Sequence, residues 1–138
     1  MTFREKSAWA MAALLLAAGA MWLRVALAVP GDAPPLAQLG PLIPFAMAVI
    51  VGAIVIQIVL SIAMVREVQK PADERERPLI DKAGHWSGIV LAVVVVGGIM
   101  NYLATGQGAV LFQWVTGGLI LSQLAEYVFQ IALFRRGR

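Results

Sequence analysis

The sequence predicts an all-α fold, an integral membrane four-helix bundle. Three observations carry that expectation: the composition, the spacing of the apolar runs, and the one-sided placement of the basic residues. Of 138 residues, 60% are hydrophobic and 14% are charged, whereas a soluble globular domain carries about a quarter charged residues. The mean hydropathy is +0.81. The charges crowd into short stretches, separated by apolar runs of about twenty residues. An α-helix needs that length to cross a hydrocarbon core roughly 30 Å thick.

Four runs qualify, at 7–28, 42–65, 85–104 and 109–134, within a single transmembrane domain covering 1–138. In oil, backbone amides must be satisfied inside their own segment, so each run is expected to coil. The first follows Arg4 and Lys6 and ends in Ala26, Leu27 and Ala28, a pattern shared with cleavable signal peptides. Its length and the interrupting Arg24 favour a retained span. Prolines avoid the span centres. Pro41 and Pro44 open the second span, where a first turn tolerates them; Pro30, Pro34, Pro35, Pro71 and Pro78 fall in loops. Pro78 is expected to interrupt any continuous helix leading into the third span. The pairs Gly97-Gly98 and Gly117-Gly118 are expected to mark bends or close helix contacts.

Direction follows from the basic residues. Arg4 and Lys6, then Arg66, Lys70, Arg75, Arg77 and Lys82, then Arg135, Arg136 and Arg138 all fall on one side, ten of the eleven in the chain. The positive-inside rule makes the termini and the 66–84 loop cytoplasmic and the 29–41 and 105–108 loops external, in a bacterial inner (plasma) membrane. The net charge of +3 is thus an orientation signal, and no nucleic-acid partner is expected. Trp9, Trp86, Tyr127 and Phe134 are assigned to an inner aromatic belt, and Trp22, Tyr102, Phe112 and Trp114 to an outer one.

The even spans align without gaps. Gln57–Arg66 lies over Glu126–Arg135 with four of ten positions identical. Lys6 and Trp9 match Lys82 and Trp86 less closely, and Ala18-Gly19 lies over Val96-Gly97. The expected architecture is therefore a tandem repeat of two helical hairpins, parallel because both start in the cytoplasm.

The run Ala72-Asp73-Glu74-Arg75-Glu76-Arg77, then Leu79-Ile80 and Lys82-Ala83, leads into a span. The chain closes with Leu124-Ala125-Glu126-Tyr127-Val128-Phe129-Gln130-Ile131-Ala132-Leu133-Phe134-Arg135-Arg136-Gly137. Together these resemble a broad group of small uncharacterised four-helix prokaryotic membrane proteins with an Asp-Glu-Arg-rich cytoplasmic loop. The resemblance covers roughly residues 68–137. It implies the same topology and no particular activity.

Candidate functional residues are few. Glu126 is the acid placed within a span, and an ionisable group at that depth is a functional hypothesis by default. Gln123, Tyr127 and Gln130 follow at helical spacing, Gln57 is its repeat equivalent, and Asn101 lies in the third span. These six form an expected intramembrane polar seam, which Gln113 and Thr116 extend outward. Gly84, Gly88 and Ala92 form a small-xxx-small stripe suited to close helix packing, inside the monomer or between copies. Asp73, Glu74, Arg75, Glu76 and Arg77 are candidates for docking a cytoplasmic partner. Arg24 is placed to pair with Asp32, and His85 is expected to be solvated at the interface.

The chain has no cysteine and one histidine, so thiol chemistry and ordinary zinc sites are excluded. No phosphate loop or nucleophile–base pair is present. The expected function is non-enzymatic and without cofactor. In that reading the chain is an accessory, sensor or assembly subunit that associates in the bilayer, as a homo-oligomer or with another membrane subunit. The alternative is a small oligomeric channel or transporter for ions, protons or solutes, built on the seam around Glu126.

Overall fold

A computed structural model describes residues 3–65, 74 and 76–136. Among these, the elements are α1 (Phe3–Ala28), a short α2 (Pro35–Gln38), α3 (Leu42–Ala63), α4 (Glu76–Thr105) and α5 (Gly108–Arg136). The four long helices have 26, 22, 30 and 29 residues. At about 1.5 Å per residue each exceeds the ~30 Å of a bilayer core. Each is also apolar enough to cross a membrane.

The starts of α3 and α4 show where the prolines act. Pro41 caps α3 and Pro44 is its third residue, inside the first turn, where the backbone N–H has no intrahelical acceptor to lose. Pro78 occupies the same position in α4. The expected break before the third span is therefore absent, and α4 runs unbroken from Glu76 to Thr105. The loop expected at 66–84 gives up its second half to that helix.

The long helices pack as a row in the order α3, α1, α5, α4, and α2 rests against α5. Buried residues of α1 recur every three or four positions: Glu5, Ala8, Ala12, Leu15, then Trp22 and Ala26. Phe45 of α3 joins Leu15, Ala18, Trp22 and Ala26 in one cluster, against which Ile120, Leu124 and Tyr127 of α5 pack. Ala8, Ala12 and Ile131 form a second cluster nearer the termini. On its other flank α5 meets α4 through Gly118 beside Val94, and through Phe129 edge-on to Trp86 at 5.4 Å.

The glycine pairs make close contacts, and the helices pass through them without interruption. A Cβ on Gly98 would lie 2.7 Å from the Cβ of Trp114, and one on Gly118 would lie 3.0 Å from Cγ1 of Val94. A Cβ on Gly117 would lie 3.2 Å from the Trp22 ring. That last contact corrects the expected outer belt. Trp22 is 6% exposed, because its ring fills the space that Gly117 leaves between two helices. Phe134 is likewise buried rather than belted.

A tight turn joins α4 to α5. Gly106 adopts φ +71° and donates its N–H to the Tyr102 carbonyl at 2.7 Å, the left-handed close of a helix that favours glycine. Three substitutions test these positions, read as unfolding free energy in mixed micelles. Gly98→Val should destabilise the protein by about 1–3 kcal/mol, since the atom it meets is rooted in the backbone. Gly88→Ala should be neutral or mildly stabilising, because a Cβ there meets nothing within 4 Å. Gly106→Val should lower stability by about 1–2 kcal/mol with no change in helix content by circular dichroism.

Candidate functional site

Within one copy of the chain, the residues of the expected polar seam take different partners. Gln57 is exposed and its Nε2 donates to Oγ of Ser7 at 3.0 Å, tying α3 to α1 near the termini. Gln130 donates through Nε2 to Oε1 of Glu126 at 3.3 Å, one turn away on the same helix. Both are half-buried, whereas Gln123 is exposed. Tyr127 turns from this strip into the α1 interface, against both core clusters. Asn101 is half-buried near the far end of α4, where its carbonyl accepts a bond from Thr105 Oγ1. The helix period explains the scatter. At about 100° per residue, the flanks of α5 that meet α1 and α4 are already taken by Ile120, Leu124 and Tyr127 and by Gly118 and Phe129. Gln123, Glu126 and Gln130 are left on a third, uncovered flank.

The small-residue stripe is displaced by one position. Ala83 and Ser87 are buried in α4, whereas Gly88 and Ala92 are exposed and Gly84 is half-buried. A Cβ on Gly84 or Gly88 meets nothing within 4 Å, so the stripe is an open flank and takes no part in the monomer's own packing. Ser87 satisfies its hydroxyl on the Gly84 carbonyl at 2.8 Å.

Of the docking candidates, Asp73 and Arg75 lie outside the described residues. Glu74 and Arg77 are exposed. Glu76 is engaged within the chain, its Oε2 3.4 Å from Arg4 Nε, which links the starts of α1 and α4. Two further cations at this end cover tryptophans: Lys82 lies 5.2 Å from the Trp86 ring and Arg135 5.3 Å from that of Trp9. His85 is exposed. Among the described residues Arg24 makes no ion pair with Asp32; both side chains are exposed. No three His, Cys, Asp or Glu side chains among the described residues could together hold a metal ion.

Among the described residues, Glu5, Gln38, Ser87 and Ser122 are buried polar groups outside the expected sites. Glu5 is 3% exposed, and the three-and-four spacing that it opens on α1 was the readable signal for it. Gln38, 5% exposed, sits in a proline-rich connector with no periodicity to reveal it. Its Nε2 donates to the Pro30 carbonyl at 3.3 Å, and its Oε1 accepts from Gln113 Nε2 at 2.8 Å. Gln113 therefore faces α2, away from Glu126, and its own Oε1 is buried without a partner.

Comparison with known proteins returns no matching family model, no matching curated protein and no matching solved structure. The fold itself defines the class: an all-helical chain whose four long helices could each span a membrane. A double-mutant cycle on Ser7→Ala and Gln57→Leu should give a coupling near 0.6 kcal/mol and below about 2 kcal/mol, the range for interhelical hydrogen bonds in lipid. A coupling of zero would place that bond outside the energetics of the α1–α3 contact.

Proposed function

We propose that the chain is a multi-pass protein of the bacterial inner membrane that acts by helix association, with itself or with a membrane subunit. Catalysis and conduction are not part of this reading. The observation that carries it is the dispersal of the intramembrane polar groups. Gln57 bonds to Ser7 of α1, Gln130 to Glu126 on α5, and Asn101 lies near the far end of α4, a distribution that suits helix packing better than a polar path. The uncovered flanks favour association in turn. Glu126 and Gln130 answer each other, but in oil the lone pairs and N–H groups left over gain from a neighbouring helix. Along α3 the one buried residue is Phe45, and α4 presents the Gly84–Gly88–Ala92 flank.

Both termini and the connector after α3 are cytoplasmic in this reading. Arg4, Lys6, Arg77, Lys82, Arg135 and Arg136 lie at one end of the row and Arg24 towards the other. The cations over Trp9 and Trp86 act as interfacial anchors at that end.

Duplication of a hairpin is part of the proposal. The offset that lays Gln57 over Glu126 also lays Phe45 over Trp114. Phe45 packs with α1 and Trp114 with α4, each ring against the other helix of its own hairpin. The α1–α5 contact has no comparable α3–α4 counterpart, which leaves α3 and α4 as the two edges available to a partner.

The test combines topology, assembly and flux. A tag on the C-terminus should label from the cytoplasm alone. Wild type should run as an oligomer or co-purify with a membrane subunit, and Glu126→Leu should weaken that assembly by about 0.6–2 kcal/mol. In liposomes neither wild type nor Glu126→Gln should pass protons or ions. Flux that Glu126→Gln abolishes would replace this reading with the small oligomeric channel.

A further inference from the structure

A cavity of about 480 Å³ opens at the short-loop end of the row, between α1, α4, α5 and the segment leading to α2. That volume is in the range of small-molecule sites, roughly 300–1,000 Å³. Trp22, Leu27, Val94, Trp114 and Leu121 supply apolar walls, Gln38 and Gln113 are its polar side chains, and no acid or base lines it. The cavity is independent of the strip on α5. Gly117 and Leu121, which line it, lie on the side of that helix away from Gln123 and Glu126 at about 100° per residue.

The hydrogen bonds beside the cavity fix what it lacks. The Pro30 carbonyl can only accept, so Gln38 must turn its amide nitrogen there. The Gln38 oxygen then faces Gln113, and Gln113 must answer with its own nitrogen. Flipping either amide would set two acceptors or two donors face to face. The Oε1 of Gln113 is therefore left over as an acceptor, and it is buried with no partner. Buried acceptors of that kind are rare in folded proteins, and a donor that reaches one recovers the lost hydrogen bond.

We propose that this cavity binds an uncharged amphiphile, its apolar stem lying between Trp22 and Trp114 and its hydroxyl or amide N–H donating to Gln113 Oε1. A charged head is disfavoured, because its desolvation would meet no opposite charge. A head that only accepts hydrogen bonds is disfavoured by Gln113 itself. The oxygen is covered by its neighbours, so a donor must displace part of that cover to reach it. Two sources share this chemistry: a water-borne alcohol or amide, and a bilayer lipid with a free hydroxyl such as a diacylglycerol.

Bromine quenching of tryptophan fluorescence tests the proposal in phosphatidylcholine nanodiscs, whose headgroup carries no donor. Trp9→Phe and Trp86→Phe together leave Trp22 and Trp114, both on the cavity wall, as the reporters. Bromohexanol should quench saturably and bind about tenfold more tightly than its methyl ether, the ratio for one recovered hydrogen bond. Replacing both Gln38 and Gln113 by Met should erase that ratio, since Gln113→Met alone would free the Gln38 oxygen to accept in its place, whereas Gln123→Met, on the far flank, should keep it. Non-saturable quenching, or equal affinities for alcohol and ether, would overturn the proposal without recourse to any variant. So would a ratio that survives the double replacement in a protein with native helix content. Stronger quenching by a brominated diacylglycerol than by brominated phosphatidylcholine assigns the ligand to the bilayer. Response to bromohexanol without that difference assigns it to the aqueous side. None of these signals depends on oligomeric state, so they stand or fall apart from the association reading.

Discussion

The meeting of α1 and α5 joins the first hairpin to the second, and it turns on Trp22 closing over Gly117. The largest side chain in the row sits opposite the smallest, which lets two backbones approach while a ring fills what remains. Leu15, Ala18 and Ala26 extend that contact along α1, and Ile120, Leu124 and Tyr127 answer from α5. Ala8 and Ala12 meet Ile131 further along the same contact, and Arg135 of α5 lies over Trp9 of α1. Arg4 and Glu76 pair across their starts, and Arg4 is more than a third exposed, so solvent screens that pair. The first hairpin contributes one further contact through α2 and Gln38. Apolar surfaces do not drive helices together in lipid, so shape complementarity of this kind carries the association.

The long helices were legible from apolar runs of bilayer length, and the proline positions bounded α3 correctly. The start of α4 was not legible, because a proline in a first turn and a proline in a loop look alike until the helix beyond is seen. The belt assignment of Trp22 failed for a related reason. Depth along a helix can be counted from its ends, but whether a ring at that depth faces lipid or a neighbour depends on which flank the neighbour takes. The facing of the small stripe of α4 has the same origin: within the chain Ala83 and Ser87 are buried, while Gly88 and Ala92 are exposed. Helical spacing relates residues to one another and leaves the absolute facing undetermined.

The candidate site was less legible than the fold. Gln57, Asn101 and Glu126 are polar residues in apolar runs, and a single sequence cannot tell whether they converge. Within one copy of the chain they take different partners. The more confined polar group, Gln38 with Gln113, joins a connector to a span across 75 positions of chain. Nothing periodic links those two residues, so their meeting exists only once α2 has been laid against α5.

The wide separation of Trp22 and Gly117 has a consequence for how the chain is made. They are 95 positions apart in the sequence. At roughly 5–20 residues per second of synthesis, α1 leaves the ribosome some seconds before the helix that completes its seam exists. The last two long helices are joined through a turn so short that little loop entropy opposes their pairing. Each hairpin can thus pair within itself before the two halves join, α3 closing on α1 while the second hairpin is still unmade. Until then the face of α1 that will meet α5 stays uncovered and open to capture.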